Sequence, residues 1–217
     1  MSQRKLIIAL DFANLNDVRK IVEHIDPQQS MVKVGLQLYL AEGKRALDYL
    51  SEKGFTIFLD LKLHDIPNTV NKAVKEISNF NVAMTTIHLK GGRDMIEAAL
   101  ESASNTKIIG VSVLTSLNDD DVEEMHGSNF DNQFKRIIKL AETTKIHGIV
   151  CSPQELSKLK ELNKIKVVPG IRNESSGDDQ KRTMSSTEAY KNGADFIVVG
   201  RPITQAENIK TAILDYI

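Results

Sequence analysis

Short runs rich in Ile, Val and Phe recur along the chain at 5–11, 31–35, 55–60, 83–89, 107–115, 147–151, 165–170 and 195–200, and each is followed by a stretch patterned for a helix. Their length and β-branched content predict strands, and a repeat of about 26 residues leaves room for a helix between successive strands. Alternation of this kind predicts a closed (β/α)8 TIM barrel, a single domain over 1–217. Leu36, Leu40, Leu47 and Leu50 form one predicted helical stripe, Val70, Ala73, Val74 and Ile77 a second, and Ile203, Ala206, Ile209 and Ile213 a third. An open doubly wound sheet is the alternative architecture that the same alternation allows.

The barrel makes a geometric demand. Its strands are covered on both faces, so charged side chains are tolerated chiefly at the C-terminal mouth, where such barrels carry their sites. The chain repeats that pattern: Asp11 ends the first strand, Lys33 lies near the end of the second, Asp60 and Lys62 end the third, and Arg172 and Arg201 follow the seventh and eighth. A polar ring at one mouth predicts a ligand site.

The segment from Asp60 to Thr69 is the most informative. Side chains two apart on a strand share a face, so Asp60 and Lys62 point the same way, with Asp65 just beyond them. Pro67 suits the first turn of the helix that follows. An ammonium between carboxylates suits delivery of a proton to carbon, and the carboxylates suit exclusion of a negative group, which points to acid chemistry on an anionic substrate. Gly200-Arg201-Pro202-Ile203 predicts a phosphate site, where backbone N–H groups, a helix start and a guanidinium converge. Arg172 supplies an adjoining wall, and Gln180 lies in a polar loop over 173–182 that can fold across an anion. Asp11 is either functional or holds the barrel mouth through backbone hydrogen bonds, and Lys33 is either functional or its ion-pair partner.

Other polar residues are read more plainly. His24, His64, His126 and His147 show no ligand spacing and are expected at the surface or in loops, whereas His88 either faces the mouth or sits in the core. Cys151 is expected buried at a strand end. The acidic run 119–124 is expected to be a solvated helix start, since negative charge favours that end; no metal site is predicted.

Composition narrows the functional classes. A hydrophobic content of 41%, 26% charged residues and a net charge of −1 describe a soluble globular protein without a large field, so nucleic acid is not an expected partner. Cys151 stands alone, so no internal disulfide can form, and strand patterning begins at Lys5 without a signal-like apolar segment. The expected location is cytoplasmic. No apolar run approaches the roughly 20 residues that span a bilayer, so no membrane role is expected.

The whole chain resembles the bacterial type of the orotidine 5'-phosphate decarboxylase family. The resemblance is carried by Leu-Asp at 10–11, Val-Lys-Val-Gly at 32–35, Phe-Leu-Asp-Leu-Lys-Leu-His-Asp-Ile-Pro-Asn-Thr at 58–69, Leu-Thr-Ser at 114–116, Val-Pro-Gly-Ile-Arg at 168–172, the segment 177–182 and Val-Gly-Arg-Pro at 199–202, in family order. It implies decarboxylation of orotidine 5'-phosphate to UMP, the last step of de novo pyrimidine nucleotide synthesis, without cofactor or metal. Lys62 would deliver a proton to C6 after CO2 leaves, with Asp60 beside the departing carboxylate and Lys33 completing the charge array. The family's site lies at a homodimer interface, so Asp65, Ile66 and Thr69 would reach the neighbouring subunit's pocket. Asp11 and Lys33 would contact the ribose, Thr115 the pyrimidine, and Arg172, Gln180, Gly200 and Arg201 the phosphate. The chain departs from the family pattern at Lys90, where a small residue is expected before Gly-Gly, and in its compact 173–179 segment.

Two other functions remain as alternatives. A sugar-phosphate lyase or aldolase of similar architecture shares the Asp-x-Lys-x-x-Asp spacing but holds a divalent metal; such relatives carry an acidic residue where Lys33 stands, and a cation there would repel Mg2+. A non-catalytic phosphate-binding barrel would have no need of Lys62 between carboxylates.

Overall fold

In the computed structural model, which describes residues 5–114, 119–173 and 183–217, the strands close into a barrel in sequence order. They are β1 (Leu6–Ala9), β2 (Ser30–Gly35), β3 (Ile57–Leu63), β4 (Met84–His88), β5 (Lys107–Val111), β6 (Gly148–Val150), β7 (Ile165–Val168) and β8 (Phe196–Val199). Every neighbouring pair is parallel, and β8 returns to β1, so no edge is left open. The doubly wound alternative is thereby excluded. The helices, in order, are α1 (Leu15–Val22), α2 (Leu36–Glu42), α3 (Lys44–Glu52), α4 (Pro67–Ser78), α5 (Gly92–Ser102), α6 (Asp119–His126), α7 (Phe130–Thr143), α8 (Ser186–Lys191), α9 (Arg201–Thr204) and α10 (Ile209–Leu214).

The strand period of two divides the apolar residues between two cores. Ile7, Ala9, Met31, Phe58, Met84, Ile109, Val167 and Val198 point inward and fill the barrel. Their neighbours, among them Leu6, Ile8, Val32, Ile57, Leu59, Ile149 and Val199, point outward and pack with the helices. Continuing the inward series by one step toward the mouth reaches Asp11, Lys33, Asp60 and Gly200, which line a cavity. The alternation that fills the barrel with Val, Ile and Phe thus also delivers the charged residues to one place.

Two helical stripes differ from the sequence expectation. Gly43, at φ 55° and ψ −137°, stops α2 before α3 begins. Leu47 and Leu50 are buried, but Leu36 is 51% and Leu40 80% exposed, and Leu38 is the α2 residue that packs inward. The break shifts the helical phase, so one stripe cannot run through both helices. At the C-terminus the expected stripe is likewise divided, between α9 and α10, with Ile203 and Ile213 buried. The 67–78 segment matches its pattern: Pro67 opens α4, and Val70, Val74 and Ile77 are buried. Thr115, Gln180 and the side chain of His126 lie outside the described residues.

Candidate active site

A cavity of about 310 Å3 opens at the C-terminal mouth. Its floor is apolar, with Phe58, Val111, Val150, Val167 and Val198 coming from five strands; Asp11, Lys33, Asp60 and Lys62 form one wall, and Arg172, Gly200 and Arg201 form another. A concave apolar chamber with a few convergent polar groups is the usual form of a small-molecule site.

Asp60 is the pivot of the charged wall. It is 8% exposed, and both of its oxygens accept hydrogen bonds from Lys62 Nζ, at 2.9 and 2.8 Å. Lys33 Nζ stands 3.7 Å from Asp60 Oδ2 and donates to Asp11 Oδ1 at 2.9 Å. The four side chains thus alternate in sign across β1, β2 and β3. Burial pushes the Asp60 carboxyl upward, but Lys33, Lys62 and hydrogen bonds from Lys62 and Thr86 outweigh it and hold the group below the ordinary carboxylate value. Gly35 leaves room beside this wall: a Cβ there would fall 2.8 Å from Lys33 Nζ and 3.0 Å from Asp11 Oδ1, so a larger residue would shift the tips of the ion pair.

Asp65 does not join this array within the chain. It is exposed, and its Oδ1 accepts from the backbone N–H of Ile66 at 2.7 Å. Ile66 is 65% exposed and Thr69 is also exposed; none of the three lines the cavity. Arg172 is anchored at the mouth by its backbone, whose N–H donates to Met184 O at 3.0 Å, and by its side chain, which donates to Ile171 O at 2.8 Å. Asn173 joins Ser186 and Asp215, so the turn after β7 is tied to α8 and to the C-terminal segment.

The turn after β8 is tighter than its sequence suggests. Helix α9 spans only Arg201–Thr204, and the N–H groups of Ile203 and Thr204 both donate to Gly200 O, at 2.9 and 3.0 Å. Pro202 has no N–H, so the charge available to an anion here comes from the Arg201 guanidinium more than from a row of helix amides.

His88 is half-buried, its ring centroid 5.4 Å from that of His64. Burial, with the positive influence of His64, Lys62 and Lys90, pushes it down to about 4, so it is neutral at pH 7. It does not line the cavity. Cys151 does, but it is buried and its thiol is pushed up by that burial, which keeps it unreactive. The acidic residues at 119–121 occupy the first turn of α6, as expected of a helix start. Sequence reasoning missed Phe12, Thr204 and Gln205 at the cavity and Thr86 behind it. Only Thr86 had a usable signal, as a polar residue inside a strand that parallel packing buries on both faces.

The model of the orotidine 5'-phosphate decarboxylase / HUMPS family matches residues 4–216. The chain belongs to this family. It is 42% identical over 209 residues to the orotidine 5'-phosphate decarboxylase of Laribacter hongkongensis, covering 93% of this chain and 86% of that one. Its identity to the Ehrlichia chaffeensis enzyme of the same name is 42% over 216 residues, covering 96% and 93% of the two chains. The crystal structure of orotidine 5'-phosphate decarboxylase from Lactobacillus acidophilus superposes with a TM-score of 0.87 at 33% identity, covering 98% of this chain and 99% of that one. Enzymes of that name are carbon-carbon lyases. Among the described residues, no helix of this family member is long and apolar enough to cross a membrane.

The electrostatics predict a titration. The Asp60 carboxyl, followed by 13C NMR in the substrate-free protein, is expected to titrate below 3.8, the ordinary carboxylate value. Because the folded-state value is depressed, the stability that this carboxylate contributes is complete above the unfolded value and is lost as pH falls through the folded one. A midpoint above 3.8 would mean that burial outweighs the two lysines.

Proposed function

We propose that the protein decarboxylates orotidine 5'-phosphate to UMP in pyrimidine synthesis, in the cytoplasm, without a cofactor. The observation that carries this reading is the Asp11–Lys33–Asp60–Lys62 array beside an apolar chamber whose other wall bears Arg172 and Arg201. The pyrimidine lies in the chamber, the ribose against Asp11 and Lys33, and the phosphate at Arg172, Gly200 and Arg201. Gln180 and Thr115 are assigned to the phosphate and the pyrimidine from the family resemblance.

In this reading the bond between C6 and the carboxylate breaks heterolytically. CO2 departs, and the electron pair remains at C6, facing the Lys62 ammonium. That ammonium stabilises the developing carbanion more than it stabilises the delocalised ground-state carboxylate, which is the differential binding that lowers a barrier. Lys62 then gives its proton to C6, completing UMP, and recovers one from solvent. Asp60 faces the departing carboxylate, but its larger contribution is to hold Lys62 through two hydrogen bonds. Phosphate contacts remote from C6 supply binding energy that fixes the base against the array.

A metal-dependent lyase fits less well. Lys33 Nζ stands 2.9 Å from Asp11 and 3.7 Å from Asp60, so positive charge already occupies the place between the carboxylates where a divalent cation would be held. A purely binding role leaves the buried Asp60 carboxylate and its pairing with the half-buried Lys62 unexplained, because withdrawing a charge from water gains little stability even when it is paired.

The active unit proposed is a homodimer with shared sites. Asp65, Ile66 and Thr69 are exposed and do not line their own cavity, and the exposed Leu36 and Leu40 follow the adjacent strand β2 at the same end of the barrel. A partner covering this side would bury the apolar residues and bring its own Asp65 to the Lys62 of this chain.

The purified protein is expected to convert orotidine 5'-phosphate in EDTA, seen as loss of substrate ultraviolet absorbance, while Lys62→Ala keeps its circular dichroism and loses most turnover. No conversion by the native chain would sink the assignment, and near-native turnover in Lys62→Ala would remove Lys62 as proton donor. For the shared site, inactive Lys62→Ala and Asp65→Ala chains should regain activity when mixed, since a mixed dimer contains one intact site. Absence of rescue after demonstrated subunit exchange would contradict it.

A further inference from the structure

Thr86 lies outside the cavity, yet two parts of the charged wall meet on its hydroxyl. It is fully buried in the interior of β4. Its Oγ1 accepts from the backbone N–H of Lys62 at 2.8 Å and donates to Asp60 Oδ1 at 2.9 Å. A hydroxyl has one proton to give, and an amide can only donate, so the direction of both bonds is fixed: amide to hydroxyl to carboxylate.

The backbone at Lys62 explains why such a bridge is needed. Between the pairs Leu59↔Thr85 and Leu63↔Ile87, β3 advances four residues while β4 advances two. Lys62 sits in that irregularity at φ 50°, the one non-glycine residue with positive φ among those described. A non-glycine residue in this region is strained and persists only where its surroundings hold it. Where the strand ladder slips, the Lys62 amide has no regular carbonyl opposite, and the Thr86 hydroxyl takes that place.

We infer that Thr86 is a positioning residue for the reaction: its hydroxyl locks the left-handed backbone of Lys62 to the orientation of the Asp60 carboxylate, so that the ammonium and its counter-ion are aimed as one unit. Asp60 Oδ1 then receives Thr86 and Lys62 together, and Oδ2 receives Lys62 with Lys33 nearby. Each bond in the chain polarises the next, so loss of the hydroxyl is felt at both ends. In its activity readout the inference rests on the decarboxylase reading; in its titration readout it does not.

The test compares Thr86→Val, which keeps the shape and removes the hydroxyl, with Thr86→Ser, which keeps the hydroxyl. Thr86→Val is expected to lower kcat roughly 10- to 100-fold, the effect of losing a buried hydrogen bond to a charged group, with KM for orotidine 5'-phosphate little changed. Thr86→Ser is expected to restore kcat. In the substrate-free protein, 13C NMR should show the Asp60 carboxyl titrating at higher pH in Thr86→Val, because a donor to its charged form is gone. The charged and titratable groups facing Asp60 are Lys33 from β2, with Asp11 of the β1 end behind it, Lys62 on β3 and His88 on β4; all are retained in these variants. Unchanged kcat and an unchanged Asp60 titration in a folded Thr86→Val protein would overturn the inference, as would a loss that Thr86→Ser fails to restore. Should Thr86→Val not fold, Thr86→Cys, with its weaker donor, takes its place, and native kcat in that variant overturns it equally. If the native chain does not turn over orotidine 5'-phosphate, the decarboxylase reading fails, and the Asp60 titration still decides the role of Thr86.

Discussion

A carboxylate buried in the middle of β3 sets the terms for everything around it. An ionised group taken from water must be matched by opposite charge and hydrogen bonds, or it becomes neutral. Asp60 is matched from three strands: Lys33 approaches from β2, Lys62 from β3 itself, and the Thr86 hydroxyl from β4. Remove any of these and the carboxylate is under-compensated; remove the carboxylate and Lys62 loses both of its hydrogen bonds to it, while Lys33 keeps Asp11. Such a site is built for placement of charge more than for stability, and the function proposed for it uses that placement.

The barrel supplies the match through register. Gly35 pairs with Asp60 across β2 and β3, which puts Lys33 two residues back on the inward face and within reach of both Asp60 and Asp11. The same inward series provides Val and Phe below, so the charges meet an apolar floor. Gly35 leaves room for the Lys33–Asp11 pair, and the slip in the β3–β4 ladder gives Lys62 the backbone twist that turns its ammonium onto Asp60. The guanidinium wall, from the turns after β7 and β8, continues the ring around the mouth from β1, with which β8 pairs.

Much of this was legible in the sequence, and the physical reason is periodicity. Strand alternation and barrel closure follow from a period of two repeated at regular spacing, and it was enough to put Asp11, Lys33, Asp60, Lys62, Arg172 and Arg201 at one mouth. The break at Gly43 was not legible, because a leucine stripe looks continuous until the helical phase is reset, and Leu36 and Leu40 therefore stand outside the core. The Gly200 turn was read as a helix start rich in amides, whereas a four-residue helix directs two of them back to Gly200. Thr86 could be marked as a polar residue within a buried strand, but its role depends on a ladder irregularity, which is a property of two strands together and is not visible in either alone. Asp65, Ile66 and Thr69 are the reverse case: their motif is plain in the sequence, while the chain by itself gives them no partner in the cavity.

Asp60 fixes the Lys62 side chain before any substrate arrives. The most direct test is 13C relaxation at Lys62 Cε in the substrate-free protein and in Asp60→Asn. A restricted side chain is expected in the native protein and, in the variant, the mobility of an unpaired surface lysine. Equal restriction in both proteins would show that Lys62 is held by something other than the carboxylate, and would contradict the account.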